Sequence, residues 1–289
     1  MILSASRRTD IPCFFSEWFM NRIRAGYVKV RNPMNPRQAK RIELSPEAVD
    51  CIVFWTKDAA NLMPYLAELD ARGYRYYFQF TVTPYGFEIE PRLRPKEEIE
   101  KTLIALSEKI GRERVVWRYD PILFYADFDL SRHKEWFRRM CGRFSSYVDT
   151  VTISFVDSYA RRKSMPYRPP SDFEAEAFAA FAGETAERCG ISCTACCESG
   201  ALEKFGIAPA RCIDEERVSR ICGHPVAAGP DRSQRSGCGC CKSVDIGAYD
   251  TCLNGCAYCY ANRYGYDRIL HRLSAHDPKG EFLIDVENK

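Results

Sequence analysis

"KSVDIGAYDTCLNGCAYCYAN", residues 242–262, opens with a short β-rich run and places Cys252, Cys256 and Cys259 behind it in the order C-x3-C-x2-C. Its reading decides the fold, because similar runs precede it at MILSAS (1–6), DCIVFWT (50–56), YRYYFQFTVT (74–83), RVVWRYD (114–120), DTVTISFVD (149–157) and GISCTAC (190–196). Between them lie segments with helical spacing of apolar residues, at 14–26, 61–73, 95–111, 131–144 and 170–190. Gly26, Gly73, Gly111 and Gly190 stand where such helices stop, glycine being the residue that most easily takes the left-handed terminal position. Strands in strict alternation with helices predict an α/β fold with a parallel sheet covered on its outer side. A (β/α) barrel of TIM type, closed or incomplete, is the economical arrangement, and a doubly wound open sheet is the runner-up. KSVDIG is then the last strand, and a helix is expected from Tyr260 to about Leu273.

The chain reads as one domain, residues 1–289, with a cysteine-rich, cluster-binding segment at 190–264. Hydrophobic residues make up 46% and aromatics 13%, enough for a substantial core. No run of about eighteen apolar residues occurs and the N-terminus lacks the pattern of a signal peptide, which predicts a cytoplasmic protein with no membrane partner. Fifteen cysteines in such a compartment point to metal ligands where they cluster, since cytosolic thiols are kept reduced. A net charge of +3 neither demands nor forbids an anionic partner.

Polar residues follow each strand, and in a parallel barrel these C-terminal ends share one face, where active sites are built. That face is expected to carry Arg7, Arg8, Asp10, Lys57, Arg118, Asp120, Asp157 and Glu198. The three cysteines after the seventh run belong to the same face. Structural zinc takes four protein ligands, usually in facing C-x2-C knuckles, and a bacterial ferredoxin would add a fourth Cys before a Pro. Neither pattern is present here. A [4Fe-4S] cluster held by three thiolates, with one iron open, fits the spacing best.

Cys252-x3-Cys256-x-Tyr258-Cys259 resembles the cluster motif of the radical S-adenosylmethionine (radical SAM) enzymes, in which an aromatic residue precedes the third cysteine. The resemblance implies that the open iron chelates SAM and that reductive cleavage yields a 5'-deoxyadenosyl radical. It also implies a reducing partner such as flavodoxin or ferredoxin, and main-chain contacts near Tyr258 to the adenine. That superfamily carries the motif after its first strand, whereas here it follows the last. Circular permutation accounts for this, with KSVDIG as the family's first strand and MILSAS as its second, so the two runs should pair. More narrowly, the chain is similar throughout to an uncharacterised group of radical-SAM-like proteins with a C-terminal CxxxCxYCYAN motif, through SRRTDIP, RNPMNP, FWTK, WRYDPI, ISFVDSY and QRSGCGC. The Gly-Gly-Glu stretch that commonly binds the SAM ammonium is missing. SASRRTD stands in its place, and Ser4, Ser6, Thr9 and Asp10 offer oxygens instead. Cofactor binding is assigned to Tyr258, Ser4, Ser6, Asp10, Arg118, Asp120 and Asp157.

A second set, Cys196, Cys212, Cys238 and Cys240, comes from separate loops and suits either an auxiliary [4Fe-4S] cluster or zinc, with Cys197 and Cys241 as alternative ligands. The other six cysteines read as small buried hydrophobes. All four histidines read as surface residues. The basic stretch SYARRKSMPYRPP (158–170) leaves a nucleic-acid partner open beside a small-molecule substrate. The reading reached is a radical SAM enzyme of unknown substrate; its alternative is a non-catalytic barrel protein with structural zinc or redox-sensing iron–sulfur sites.

Overall fold

The computed structural model describes residues 1–156, 166–198 and 200–285. In chain order its elements are β1 (Ile2–Ala5), α1 (Ile11–Phe14), α2 (Ser16–Ala25), β2 (Tyr27–Asn32), β3 (Asn35–Glu43), β4 (Cys51–Thr56), α3 (Leu66–Ala71), β5 (Tyr76–Thr81), α4 (Lys96–Ile110), β6 (Val115–Ile122), α5 (Leu130–Phe144), β7 (Thr150–Phe155), α6 (Asp172–Arg188), β8 (Ser192–Ala195), β9 (Ala208–Pro209), α7 (Glu215–Cys222), β10 (Val244–Asp245) and α8 (Tyr266–Leu273). Eight strands form one sheet in the order β10-β1-β4-β5-β6-β7-β8-β9, every neighbouring pair parallel. The order never reverses, so the sheet is wound in one direction, unlike a doubly wound sheet. Among the described residues no ladder joins β9 to β10. As the permuted reading requires, β1 pairs with β10, through Leu3 with Val244 and Ser4 with Asp245.

The two-residue period of the strands separates the two faces of the sheet. Ile52, Phe54, Tyr76, Phe78, Phe80, Val115, Trp117 and Tyr119 pack with the helices in the larger core. Trp117 stacks on Phe137 of α5, with ring centroids 5.3 Å apart, and Tyr119 on Trp136 at 5.3 Å and on Phe178 of α6 at 5.8 Å. Each fully buried ring of this kind contributes roughly 1.5–3 kcal/mol. Cys51, Val53, Tyr77 and Val116 take the alternate positions and pack instead against Cys212, Ile213, Val218, Cys240 and Cys241. The segment around 210–241 therefore covers the inner face, and Tyr77 Oη and Gln79 Nε2 both donate to the Cys212 carbonyl, each at 2.8 Å.

Several details depart from the sequence reading. Residues 27–43 form an antiparallel β2–β3 ribbon, which hydropathy does not mark because nearly all of β3 is exposed. Helix α8 starts at Tyr266, not Tyr260, because Asp250 holds the intervening chain: its N–H donates to Ala261 O and its carboxylate accepts from Arg263 N. Among the described residues no helix is long and apolar enough to cross a membrane. All fifteen cysteines are free thiols.

His133 is buried, contrary to the surface placement expected for it: the ring nitrogens bind Tyr119 Oη and Leu123 O inside the α5 aromatic cluster. Burial lowers its pKa from 6.5 to about 4. Below pH 6.5 the unfolded chain takes up a proton that the folded chain refuses, so this group's share of stability is complete above 6.5 and is lost as pH falls towards 4. At 1.36 kcal/mol per unit the loss approaches about 3 kcal/mol. His133→Gln should therefore flatten the thermal-unfolding profile between pH 6.5 and 4 relative to wild type. Parallel profiles for the two proteins would contradict this assignment.

Candidate metal and cofactor site

A cavity of about 540 Å³ opens at the C-terminal ends of the strands, a volume typical of small-ligand sites. The chain after β1 supplies Ser6, Arg7, Thr9 and Asp10, the end of β4 supplies Trp55 and the chain after it Lys57, and β6 supplies Arg118 and Asp120. Both cysteine sets line it as well: Cys252, Cys256 and Cys259 from the loop after β10, and Cys196, Cys212, Cys238 and Cys240 from the loops around β9 and α7.

The loop after β10 is anchored at several points. Asn262 Nδ2 donates to Cys252 O at 2.7 Å, Ala257 N to Ile89 O at 2.8 Å, and Asn254 Nδ2 to Asp10 at 3.2 Å. Gly255 has φ 67°, a left-handed turn conformation that favours glycine. Burial pushes the Cys252 thiol well above its ordinary range, with Cys259, Asp10 and Cys256 adding to the effect. Burial also raises Cys256 to about 12, against the pull of Lys57. Buried thiols of this kind stay protonated until a cation displaces the proton, which is how thiolate metal sites load. Among the described residues no three His, Cys, Asp or Glu side chains gather closely enough for a single ion.

Asp10 caps α1 and accepts from Thr56 Oγ1 at 2.7 Å, Lys57 N at 2.8 Å and Cys13 N at 3.1 Å. Burial outweighs these bonds and raises its carboxyl to about 6. Ser6 Oγ and Ser4 Oγ both donate to Asp245, at 2.5 and 3.0 Å, and Ser4 does not line the cavity. Arg118 pairs with Asp120 and also donates to Gln79 Oε1 at 3.1 Å. Glu198 accepts from Phe155 N at 2.8 Å and does not line the cavity. Asp157 lies outside the described residues, as does much of the basic stretch 158–170; Arg168 within it pairs with Glu174 at 2.8 Å.

Within the second cysteine set, Cys196 and Cys240 lie beside Cys212, and Cys238 lines the cavity with them. Cys212 Sγ lies 3.5 Å from Cys196 Sγ and accepts from Arg118 Nη1 at 3.0 Å, while Cys240 Sγ accepts from Ile213 N at 3.4 Å. A hydrogen bond from Cys212, with the Arg7 guanidinium assisting, lowers the Cys240 thiol despite its burial. Cys197 also lines the cavity, whereas the Cys241 thiol turns away to Ile213 O at 3.3 Å. Cys240 thus lines the cavity and Cys241 does not. Two guanidinium groups beside these sulfurs offset the negative charge that a thiolate centre would carry.

Four buried polar atoms on cavity-lining residues have no partner: Arg7 Nη2, Thr9 Oγ1, Trp55 Nε1 and Asn254 Oδ1. Orphaned groups are rare in native interiors, and here they supply donors and acceptors for a polar ligand. Sequence reasoning missed one network altogether. Glu90, fully buried, accepts from Lys57 Nζ at 2.7 Å, Thr83 Oγ1 at 2.9 Å, Lys96 Nζ and Tyr258 Oη. Burial opposes its charge, but Lys57 and Lys96 prevail and hold the carboxyl at about 2. Nothing in EIEP (88–91) marks Glu90 as buried, since its cationic partners come from elsewhere in the chain.

Taken together, the molecule is an α/β protein whose parallel sheet ends in a cavity lined by two cysteine sets. Residues 2–261 match the family described as a domain of unknown function (DUF1848), and the chain belongs to that family. No curated protein matches it.

Replacing Glu90 by Gln leaves two ammonium groups facing one another without a counter-charge. Breaking a buried pair in this way costs about 3 kcal/mol or more. Glu90→Gln should lower the urea midpoint accordingly, and an unchanged midpoint would show that the network carries no stability.

Proposed function

We propose that the protein is an iron–sulfur enzyme that holds a [4Fe-4S] cluster on Cys252, Cys256 and Cys259, binds S-adenosylmethionine beside it, and acts by radical chemistry on a small substrate in the same cavity. The observation that carries this reading is the opening of three C-x3-C-x2-C thiols into a cavity also lined by unpartnered donors and acceptors. A one-way strand order and the β10–β1 pairing support a permuted barrel of TIM type, incomplete between β9 and β10.

When bound, the cluster supplies the electron that splits the sulfonium of SAM into methionine and a 5'-deoxyadenosyl radical. The chain's own residues hold and shield the reactants. Thr9 Oγ1 and Asn254 Oδ1 would accept from the SAM ammonium, and Arg7 and Trp55 Nε1 would donate to carboxylate or hydroxyl oxygens. Tyr258, fixed through Glu90 with Lys57 5.4 Å from its ring centroid, forms the wall next to the third cysteine. The second cysteine set is assigned to an auxiliary cluster in preference to zinc, with Arg118 and Arg7 offsetting its charge. A cytoplasmic setting with flavodoxin or ferredoxin as reductant suits this chemistry.

Anaerobically reconstituted, reduced protein should convert SAM to methionine and 5'-deoxyadenosine, measured by chromatography. Cys256→Ala should abolish the product, because three thiolates leave no spare ligand. Undiminished cleavage by that variant would remove the assignment.

With two cubanes of equal iron content, replacing Cys252, Cys256 and Cys259 together by Ala should leave about half the wild-type iron. Retention of one zinc and no iron would instead assign the second set to structural zinc, and a colourless zinc-bearing wild type would favour the non-catalytic alternative.

A further inference from the structure

A second cavity, of about 170 Å³, lies between the β2–β3 ribbon, the turn after β10 and the chain around 282–284. Arg8, Lys29, Arg31, Arg263 and Arg272 line it, and among the described residues no carboxylate does. Three of these cations are offset from outside the pocket: Lys29 by Glu281 and Arg31 by Asp285, both at 2.6 Å, and Arg263 by Asp250 at 2.9 Å. Arg8 approaches Asp245 only to 3.9 Å. Arg272 has no ion pair among the described residues, and the Nε atoms of Arg31 and Arg272 are buried without a partner.

Arg272 stands in the last turn of α8, where a cation could simply serve the helix terminus. Among the described residues its guanidinium makes no hydrogen bond to the terminal carbonyls, of which Leu270 O and His271 O accept from Ser274 N. The adjoining ribbon extends the positive field. Between Tyr27 and Ile42 it has no Asp or Glu, and Arg37, Lys40 and Arg41 are exposed there. Five cations on one lining, with their carboxylate partners outside the pocket and guanidinium N–H groups unspent, suit an oxyanion able to accept several charge-assisted hydrogen bonds.

We propose that this pocket binds a phosphate group. Arg8 and Tyr249 line both cavities, so a ligand with its phosphate here can extend past them into the larger one. The substrate would then be a phosphorylated molecule, either a free small compound or a nucleic-acid strand lying along the ribbon. This last step rests on the larger cavity being the active site; the phosphate site itself does not.

Calorimetric titration of the full chain with inorganic phosphate should give binding in the millimolar range or tighter, weakened at least about tenfold by Arg272→Ala. A short single-stranded RNA provides the second arm. If the phosphate comes from a strand, RNA should bind more tightly than phosphate, lose affinity steeply with salt, and be weakened by the paired Arg37→Ala and Lys40→Ala changes. If it comes from a small molecule, RNA should bind no better than phosphate and the ribbon variant should match wild type. No detectable phosphate binding, or equal binding by wild type and a folded Arg272→Ala protein, would overturn the proposal. Wild-type protein that binds phosphate but cleaves no SAM would sink the radical reading and leave this site standing.

Discussion

The carboxylate of Asp245 joins the two ends of the chain, and the site depends on that junction. On the last strand, β10, it accepts from Ser4 Oγ of β1, from Ser6 Oγ and Arg7 N just after β1, and from Gly247 N of its own turn. Hydrogen bonds to a charged group contribute about 1.5–3 kcal/mol each, so this one side chain offsets much of the cost of closing a very long loop. Gly247 permits the contact, since a Cβ there would meet Ser6 Oγ at 2.1 Å. With β1 and β10 so joined, the cysteine loop comes to lie over residues 6–10, and a motif at the end of the chain faces the start of the sheet.

A second consequence lies in the electrostatics of the cavity. A net charge of +3 conceals a local arrangement in which cations are placed beside sulfurs and acids. Lys57 stands between Glu90 and the Cys256 side of the cavity, while Arg7 and Arg118 stand beside Cys240 and Cys212. Each cysteine set thus has its own positive neighbours.

The sheet was legible because its strands carry a two-residue period on a parallel framework. Val116 and Arg118 face inward where Val115, Trp117 and Tyr119 face the helices, and the polar ends of the strands foretold the cavity. The pairing of MILSAS with KSVDIG followed from the position of the cysteine motif. The ribbon at 27–43 was not legible, since an exposed two-stranded unit buries little and leaves no hydropathy signal. His133 and Glu90 stayed hidden for another reason: each is buried through partners on other elements and loops, Tyr119 of β6 for His133 and Lys57 after β4 for Glu90, whose convergence hydropathy does not mark. That Cys240 lines the cavity while the Cys241 thiol turns to Ile213 O likewise needs the placed backbone.

The central claim is that the three thiols of the last loop leave one iron open to SAM within the cavity. Electron paramagnetic resonance of the reduced, reconstituted protein tests it most directly. Addition of SAM should change the cluster signal of the wild type and leave the residual signal of the Cys252, Cys256 and Cys259 triple-Ala variant unchanged. A wild-type signal indifferent to SAM, in protein carrying its full iron, would contradict the account.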